Sequence, residues 1–389
     1  MTPRICISGS GVVSSVGIGK QETLRALLDG RRGLAAPRYL QTAHTQLPVG
    51  EVPLSDSQLK SLLDIPVDHT VPRTSLLAML AVREALAEAS GAETFHPVLI
   101  SGTTVGGMDI TERLPFQGQL DGKWDCGRST DVVADYFSCF SAVFTPSTAC
   151  SSAANAILLG ARLIQSGVTE VVVAGGAECL TRFHLNGFKS LMITDVQPCR
   201  PFDATREGLN LGEGAGYLVL ETEGHARARG ANVQAYLDGW GNACDAFHQT
   251  ASSPDGDGAY DAMRQALQRA GLQPSDIGYV NAHGTGTPNN DASESQALKR
   301  LFGAQLPPVS STKGQTGHTT SASGGIEAVF CLLALQEGFV PGNAGFTTPF
   351  EGGIVPQRTS APAPALRHVL CNAFGFGGND SSLLISKAI

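Results

Sequence analysis

Two stretches of this chain are too uniformly apolar to lie on a protein surface. One covers residues 149–166 and stops at Gly167; the other covers residues 316–336. A surface helix carries one apolar stripe, whereas a helix apolar all round is buried between layers. Each stretch follows strand-like runs, and short apolar β-type runs alternate with helical ones on both sides of the chain's midpoint. In the first half, strands are expected at 5–9, 98–101, 170–174 and 217–221, with a helix over residues 74–90 ended by Gly91. The near-pure valine of 170–174 suits a central strand covered on both faces. In the second half, strands are expected at 233–239, 277–282, 368–373 and 382–386. Helices are expected at 260–270 and at 291–302, with Asp291 as the cap of the latter. The division falls near residues 223–231, giving halves of 1–228 and 229–389, each placing one buried helix in a shared middle layer.

Composition limits the function. With 389 residues, 42% hydrophobic, the chain can bury a large core. A net charge of −8 and the absence of a Lys/Arg run argue against a nucleic-acid partner. Nine cysteines with no CxxC pair and no Cys/His metal spacing read as buried reduced thiols, as in the cytosol. No run reaches the length of a membrane span, and the first residues lack a signal-peptide stretch. A cytoplasmic protein is expected.

One cysteine stands apart from the other eight. Cys150 lies in Ser147-Thr148-Ala149-Cys150-Ser151-Ser152 at the start of the first apolar helix, where unpaired N–H groups and the helix dipole favour a thiolate nucleophile. A lone cysteine is more often a structural thiol, so the histidines matter. His283 follows a strand and precedes Gly284-Thr285-Gly286-Thr287, a turn that can present a ring at a strand end. His318 is expected at the N-terminus of the second apolar helix, which disfavours its charged form. Two neutral imidazoles aimed at one point suit stabilisation of an oxyanion rather than proton shuttling. Glu327, inside an apolar helix, needs a partner, and Lys313 is the candidate. The glycine cluster Phe374-Gly375-Phe376-Gly377-Gly378-Asn379-Asp380 reads as a loop whose N–H groups could face an oxygen.

Taken together, these segments resemble the β-ketoacyl-[acyl-carrier-protein] synthases, the condensing enzymes of type II fatty acid and polyketide synthesis. The resemblance spans essentially the whole chain. It is carried by the Cys150 segment, by His283 to Thr287 with Asp291 and Glu294, and by Ser311-Thr312-Lys313 through His318. Phe374 to Gly378, and Arg200-Pro201-Phe202-Asp203 leading to Gly212-Glu213-Gly214-Ala215-Gly216, complete it. It implies an α/β, thiolase-like five-layer α-β-α-β-α sandwich of two pseudo-twofold-related halves. Cys150 would be the nucleophile, and His283 and His318 would promote decarboxylation of malonyl-carrier protein and stabilise the enolate. Lys313 and Glu327 match the supporting ion pair. Phe376, after Gly375, matches the gating phenylalanine whose N–H joins that of Cys150 in an oxyanion hole. Asp245 and His248 match a second gate loop, and Val105 and Phe188 match the acyl channel. The implied partners are acyl- and malonyl-loaded acyl carrier protein and a second subunit, identical or a related ketosynthase-like one. No cofactor or metal is implied.

Three segments depart from the family pattern. The glycine loop ends in Asn379-Asp380 where Thr-Asn is usual, Thr319-Thr320-Ser321 stands where small or apolar residues are usual, and residues 113–135 form a shortened pocket cap. Asn186-Gly187-Phe188, together with Ala149-Cys150-Ser151-Ser152, most resembles the branch serving aryl polyene and flexirubin-type pigments. Two other readings share the fold. A pocket-shaping, chain-length-factor-like subunit usually lacks the cysteine that Cys150 supplies. A thiolase would use a second, C-terminal cysteine, for which Cys371 lacks a glycine flank.

Overall fold

The computed structural model describes residues 3–89, 96–114 and 122–388. The first-half strands are β1 (Ile5–Ser14), β2 (Val98–Gly102), β3 (Ala142–Phe144), β4 (Val171–Glu178) and β5 (Gly214–Thr222). Those of the second half are β6 (Ala235–Cys244), β7 (Tyr279–Asn281), β8 (Val309–Ser310), β9 (His368–Gly375) and β10 (Asn379–Lys387). Along the sheet they run β3-β2-β4-β5-β1-β6-β10-β9-β7-β8. Subtracting five from each label of the second half reproduces the first half, so the two orders are the same and meet at their first strands. That seam is short: only Cys6 with Tyr236 and Ile7 with Ala235 pair across it. Pairing repeats as well. In each half the last strand is antiparallel to its neighbours, and the two edge strands are parallel.

Helices α1 (Arg73–Glu88), α2 (Ser152–Gln165), α3 (Asp257–Ala270), α4 (Pro288–Phe302) and α5 (Ser323–Glu337) complete the layers. α1 covers β1, β5 and β4 from outside, and α3 covers β6, β10 and β9, with α4 against α3. α2 and α5 touch each other and strands of both halves. The layers are therefore helix, strand, helix, strand, helix, with the two apolar helices in the middle. Every residue of α5 from Ser323 to Leu335 is buried, as its composition requires.

Glycines let the middle layer close. A Cβ on Gly216 of β5 would stand 2.4 Å from the carbonyl carbon of Gly325 and the nitrogen of Ile326. One on Gly325 would stand 2.4 Å from the Gly216 oxygen, and one on Gly324 would stand 2.8 Å from Ala154 of α2. Backbone thus meets backbone at the centre of the molecule.

Several boundaries differ from the sequence reading. α2 starts at Ser152, because Ala149 adopts a left-handed φ of 52° that no helix accepts. The run from Thr316 is broken: a single helical turn, Lys313–Thr316, ends at Gly317, a 3₁₀ turn covers Thr320–Ala322, and α5 begins at Ser323. Asp291 is not a cap. α4 starts at Pro288 after Thr287, and Asp291 turns inward to accept from the N–H groups of Phe202 (2.7 Å) and Gly286 (3.1 Å). The stop expected at Ser90 and Gly91 lies outside the described residues, as does part of the 113–135 segment, whose later portion forms a helix over Cys126–Phe137.

Replacing Gly216 with Ala should wedge α5 off β5. We expect a loss of about 1–3 kcal/mol, read as a melting temperature lowered by several degrees, whereas Ala at the unobstructed helical Gly187 should not lower it.

Candidate active site

Cys150 lies at a strand–turn–helix junction between β3 and α2. The left-handed Ala149 bends the chain so sharply that Ser151 and Ser152 donate back to Thr148 (3.3 Å) and Ala149 (3.2 Å). The sulfur is thereby presented at the foot of a cavity of about 320 Å³, which His283, His318, Phe188 and Gly375 to Gly378 also line. Three segments distant in sequence meet there.

His283 leaves the end of β7. Glu294 of α4 clamps its turn, accepting from the N–H groups of His283 (2.9 Å) and Gly284 (2.8 Å). His318 sits in the loop before α5; its N–H donates to the Asn210 carbonyl at 2.7 Å, and its Nδ1 lies 3.1 Å from the Ser323 hydroxyl. The two imidazoles meet edge to face, centroids 5.2 Å apart at 83°. His283 Nδ1 is buried and has no hydrogen-bond partner among the described residues.

Burial, followed by the positive charge of Lys313, pushes both rings well below the ordinary imidazole value, so both are uncharged at neutral pH. This is a different cause from the helix dipole that the sequence suggested. Lys313 Nζ is itself buried, 2.5 Å from Glu327 Oε1. Burial raises the Glu327 carboxyl to about 7 despite that partner, and its second oxygen is unpaired. Burial also dominates at Cys150, whose thiol is pushed up to about 12, while Lys313 and the Phe376 N–H pull it down. The resting sulfur is a thiol, not the thiolate expected from a helix start.

The glycine loop closes the other side of the cavity. The Phe376 N–H points at the sulfur, and its ring stacks on Phe188 with centroids 5.8 Å apart at 19°. A Cβ at Gly375 would stand 2.9 Å from the Thr148 oxygen, so only glycine brings this loop so near the cysteine turn. Asp245 does not line the cavity but is joined to the loop: its N–H donates to Gly378 O at 2.8 Å, and Gly377 donates to Gln249 O at 2.8 Å. His248 is exposed, its Nδ1 accepting from the Thr250 N–H at 3.1 Å. Val105 lies outside the cavity, its N–H donating to Glu178 Oε1 at 3.0 Å. Cys371 is buried within β9, also away from the cavity.

Two polar networks escaped the sequence reading. Buried Glu178, at the end of β4, accepts from Thr103 (2.8 Å), from the Thr104 and Val105 N–H groups, and from the Ser321 hydroxyl, with Thr320 at 3.4 Å. The unusual Thr320 and Ser321 therefore serve a buried carboxylate. The unusual Asn379 has a local role too: its Oδ1 accepts from Ser151 (2.9 Å), Asn155 (2.6 Å) and Asn242 (3.1 Å), tying the glycine loop to the start of α2. The signals were present in the sequence as a charge closing a valine strand and as an amide in a glycine loop, but their partners are remote.

Residues 2–226 match the family model for the β-ketoacyl synthase N-terminal domain, and residues 234–347 match that for the C-terminal domain. The chain belongs to the β-ketoacyl synthase family. It is an acyltransferase-class condensing enzyme. A 3-oxoacyl-[acyl-carrier-protein] synthase 2 of Rhizobium meliloti is 34% identical over 99% of both chains. Nodulation protein E of the same organism is also 34% identical, over 100% of both chains. Among solved structures, the ishigamide ketosynthase/chain length factor superposes with a TM-score of 0.91 at 30% identity, over 100% of both chains. A ketosynthase in complex with its chain length factor from Xenorhabdus doucetiae gives 0.83 at 30% identity, over 99% of this chain and 98% of that one. The fold is thus that of the thiolase-like ketosynthases.

The electrostatics make a spectroscopic prediction. An ordinary imidazole near 6.5 is mostly protonated at pH 5.5, but the rings of His283 and His318 should still be neutral there. Nitrogen-15 imidazole spectra, assigned with His283→Gln and His318→Gln, should show uncharged tautomers at that pH; charged rings at pH 6 would refute the account.

Proposed function

We propose that this protein is a β-ketoacyl-[acyl-carrier-protein] synthase acting by decarboxylative Claisen condensation, with Cys150 as nucleophile. The observation that carries the reading is the convergence of one thiol and two uncharged imidazoles on a single cavity. Cys150 attacks the thioester of an acyl-loaded carrier protein; the carbon–sulfur bond to the carrier breaks, and the thiol proton ends on the departing carrier thiol. The N–H groups of Cys150 and Phe376 face the carbonyl oxygen as it gains charge. Malonyl-carrier protein then enters and loses CO₂. Its enolate oxygen receives hydrogen bonds from His283 and His318, which are neutral and so hold N–H donors without needing to titrate. The enolate carbon attacks the acyl-cysteine, the Cys150 sulfur leaves and regains a proton, and the product is a 3-oxoacyl chain two carbons longer. Burial keeps both rings uncharged, and Lys313, tied by Glu327, adds to it. Phe376 and Phe188 gate the cavity, and Asp245 and His248 belong to the opposing loop; Val105, outside this cavity, keeps only the channel position that the family resemblance assigns it.

The same reading covers the organisation of the protein. Its halves are residues 1–228, carrying Cys150, and 229–389, carrying both histidines. Its carrier-protein partner and a second subunit follow from relatives named as carrier-protein synthases and from solved ketosynthase–chain length factor pairs. The support for an aryl polyene type of substrate is the likeness of Asn186-Gly187-Phe188, with Ala149-Cys150-Ser151-Ser152, to that branch of the family. Nine free thiols suit a cytoplasmic enzyme. Cys150 favours the catalytic role over the chain-length-factor one.

A Cys150→Ala protein given acyl- and malonyl-carrier proteins should make no 3-oxoacyl product and gain no acyl mass in intact mass spectrometry. His283→Ala and His318→Ala should each acylate yet release labelled CO₂ from malonyl-carrier protein about 10²-fold or more slowly. Undiminished elongation by Cys150→Ala would sink the assignment, and condensation without CO₂ release would favour a thiolase.

A further inference from the structure

Three asparagines meet behind the glycine loop, and the proposed chemistry gives none of them a role. Asn379 opens β10, Asn242 lies on β6 and Asn155 stands in the first turn of α2. One oxygen joins them. Asn379 Oδ1 accepts from Asn155 Nδ2 at 2.6 Å, from the Ser151 hydroxyl at 2.9 Å and from Asn242 Nδ2 at 3.1 Å. Asn155 also reaches the cysteine turn itself, its Nδ2 donating to Thr148 Oγ1 at 2.8 Å. Its Oδ1 accepts from Asn242 Nδ2 at 2.9 Å and from the Ser381 hydroxyl at 3.1 Å. A side-chain oxygen carried on Cβ at position 379 would fall one bond short of these donors.

The backbone shows why such a grip matters. β9 and β10 form a hairpin with Gly375 opposite Asn379, closed by the Gly378 N–H donating to Gly375 O at 3.1 Å. Phe376 and Gly377 are its tip. Gly377 and Gly378 both take left-handed φ, 83° and 76°, and neither has a side chain to pack. The direction of the Phe376 N–H, which points at the sulfur, is therefore set by what the two shoulders of the tip touch. One shoulder bonds through backbone to Asp245 and Gln249. The other is Asn379, which holds the cysteine turn and α2. Asn379 does not line the cavity, so its influence on the chemistry passes through the tip.

We propose that Asn379 is a positioning residue for acyl transfer: its three hydrogen bonds fix the Phe376 N–H where it meets the thioester oxygen as that oxygen gains charge. The inference rests on the thioester reading above and assigns the placement of one oxyanion donor within it. Without the acceptor the tip is released from the cysteine turn, and a hydrogen bond weakens steeply as its donor swings out of line. Displacement at a saturated carbon builds no charge on a carbonyl oxygen. Alkylation of the same sulfur therefore does not need this donor.

The test measures two rates at the Cys150 peptide by mass spectrometry: acylation by octanoyl-carrier protein and alkylation by iodoacetamide. Asn379→Leu, similar in size but without the acceptor, should slow acylation by about tenfold or more and leave alkylation near the wild-type rate. Asn379→Asp, which keeps an oxygen for all three donors, should recover part of the ratio of acylation to alkylation. Thermal melts establish that each variant is folded, and Asn379→Ala replaces Asn379→Leu if that one is not. Undiminished acylation by Asn379→Leu overturns the inference. So does a loss shared equally by acylation and alkylation, which marks a general disturbance of the cysteine turn, and so does a ratio in Asn379→Asp no better than in Asn379→Leu. A wild-type protein that is alkylated at Cys150 but gains no acyl mass would instead remove the thioester reading, and this inference with it.

Discussion

One buried ion pair joins the fold to the chemistry. Glu327 projects from α5, the middle-layer helix, and Lys313 from the loop that leads to His318; their 2.5 Å contact lies in a region where neither charge meets water. Such a pair contributes little net stability, but losing one partner strands the other charge in a low-dielectric interior. Its importance here is positional. The ammonium acts on Cys150, His283 and His318 together, lowering all three. A single lysine therefore biases the sulfur toward thiolate and both rings toward neutrality. That combination is what the proposed condensation asks of a site that receives an acyl group and holds an enolate.

The pair is fixed because α5 cannot move. Gly216 and Gly325 bring helix and strand backbones into direct contact, and Gly324 does the same toward α2. The cysteine turn precedes α2 and the second histidine precedes α5, so the packing of these two helices sets the separation of sulfur and ring. The motif Gly212-Glu213-Gly214-Ala215-Gly216 shapes the cavity from behind, through this contact and through the Gly212 N–H, which donates to the His318 carbonyl at 2.9 Å. Buried Glu213 strengthens the same region by pairing with Arg73, whose Nη2 lies 2.6 Å away.

Much of this was legible in the sequence. The two apolar stretches announced a middle layer, the valine run a central strand, and the three motifs the residues that meet in the cavity. The Lys313–Glu327 pairing was readable because an acid in an apolar helix demands a cation. What was not legible depended on backbone geometry or on distant partners. The helix at Cys150 begins three residues late, at Ser152 instead of Ala149, because Ala149 is left-handed, and hydropathy carries no trace of that. Asp291 resembled a cap by residue type, yet Pro288 with its fixed φ begins the helix earlier and frees the aspartate to hold Phe202. Thr320 and Ser321 looked out of place until Glu178, 142 and 143 residues away in sequence, was found to need their hydroxyls.

The least expected feature is the protonated resting thiol. Burial outweighs every influence that favours the thiolate, so Cys150 is not reactive merely by standing near a helix start. In the proposed reaction the sulfur becomes reactive when a thioester fills the cavity. The incoming carbonyl brings its own developing charge to the N–H groups that face the sulfur, and the departing carrier thiol supplies a destination for the proton. A buried thiol that ionises only against a bound thioester is protected from solvent and from adventitious electrophiles between turnovers. The glycine loop that presents the Phe376 N–H is held to α2 through Asn379, so the donor and the sulfur it serves move as one unit. The same dry cavity that raises the thiol also depresses the two imidazoles. Exclusion of water thus favours the neutral form of all three residues, which suits the two rings, while Lys313 draws the sulfur back toward the thiolate that attack requires.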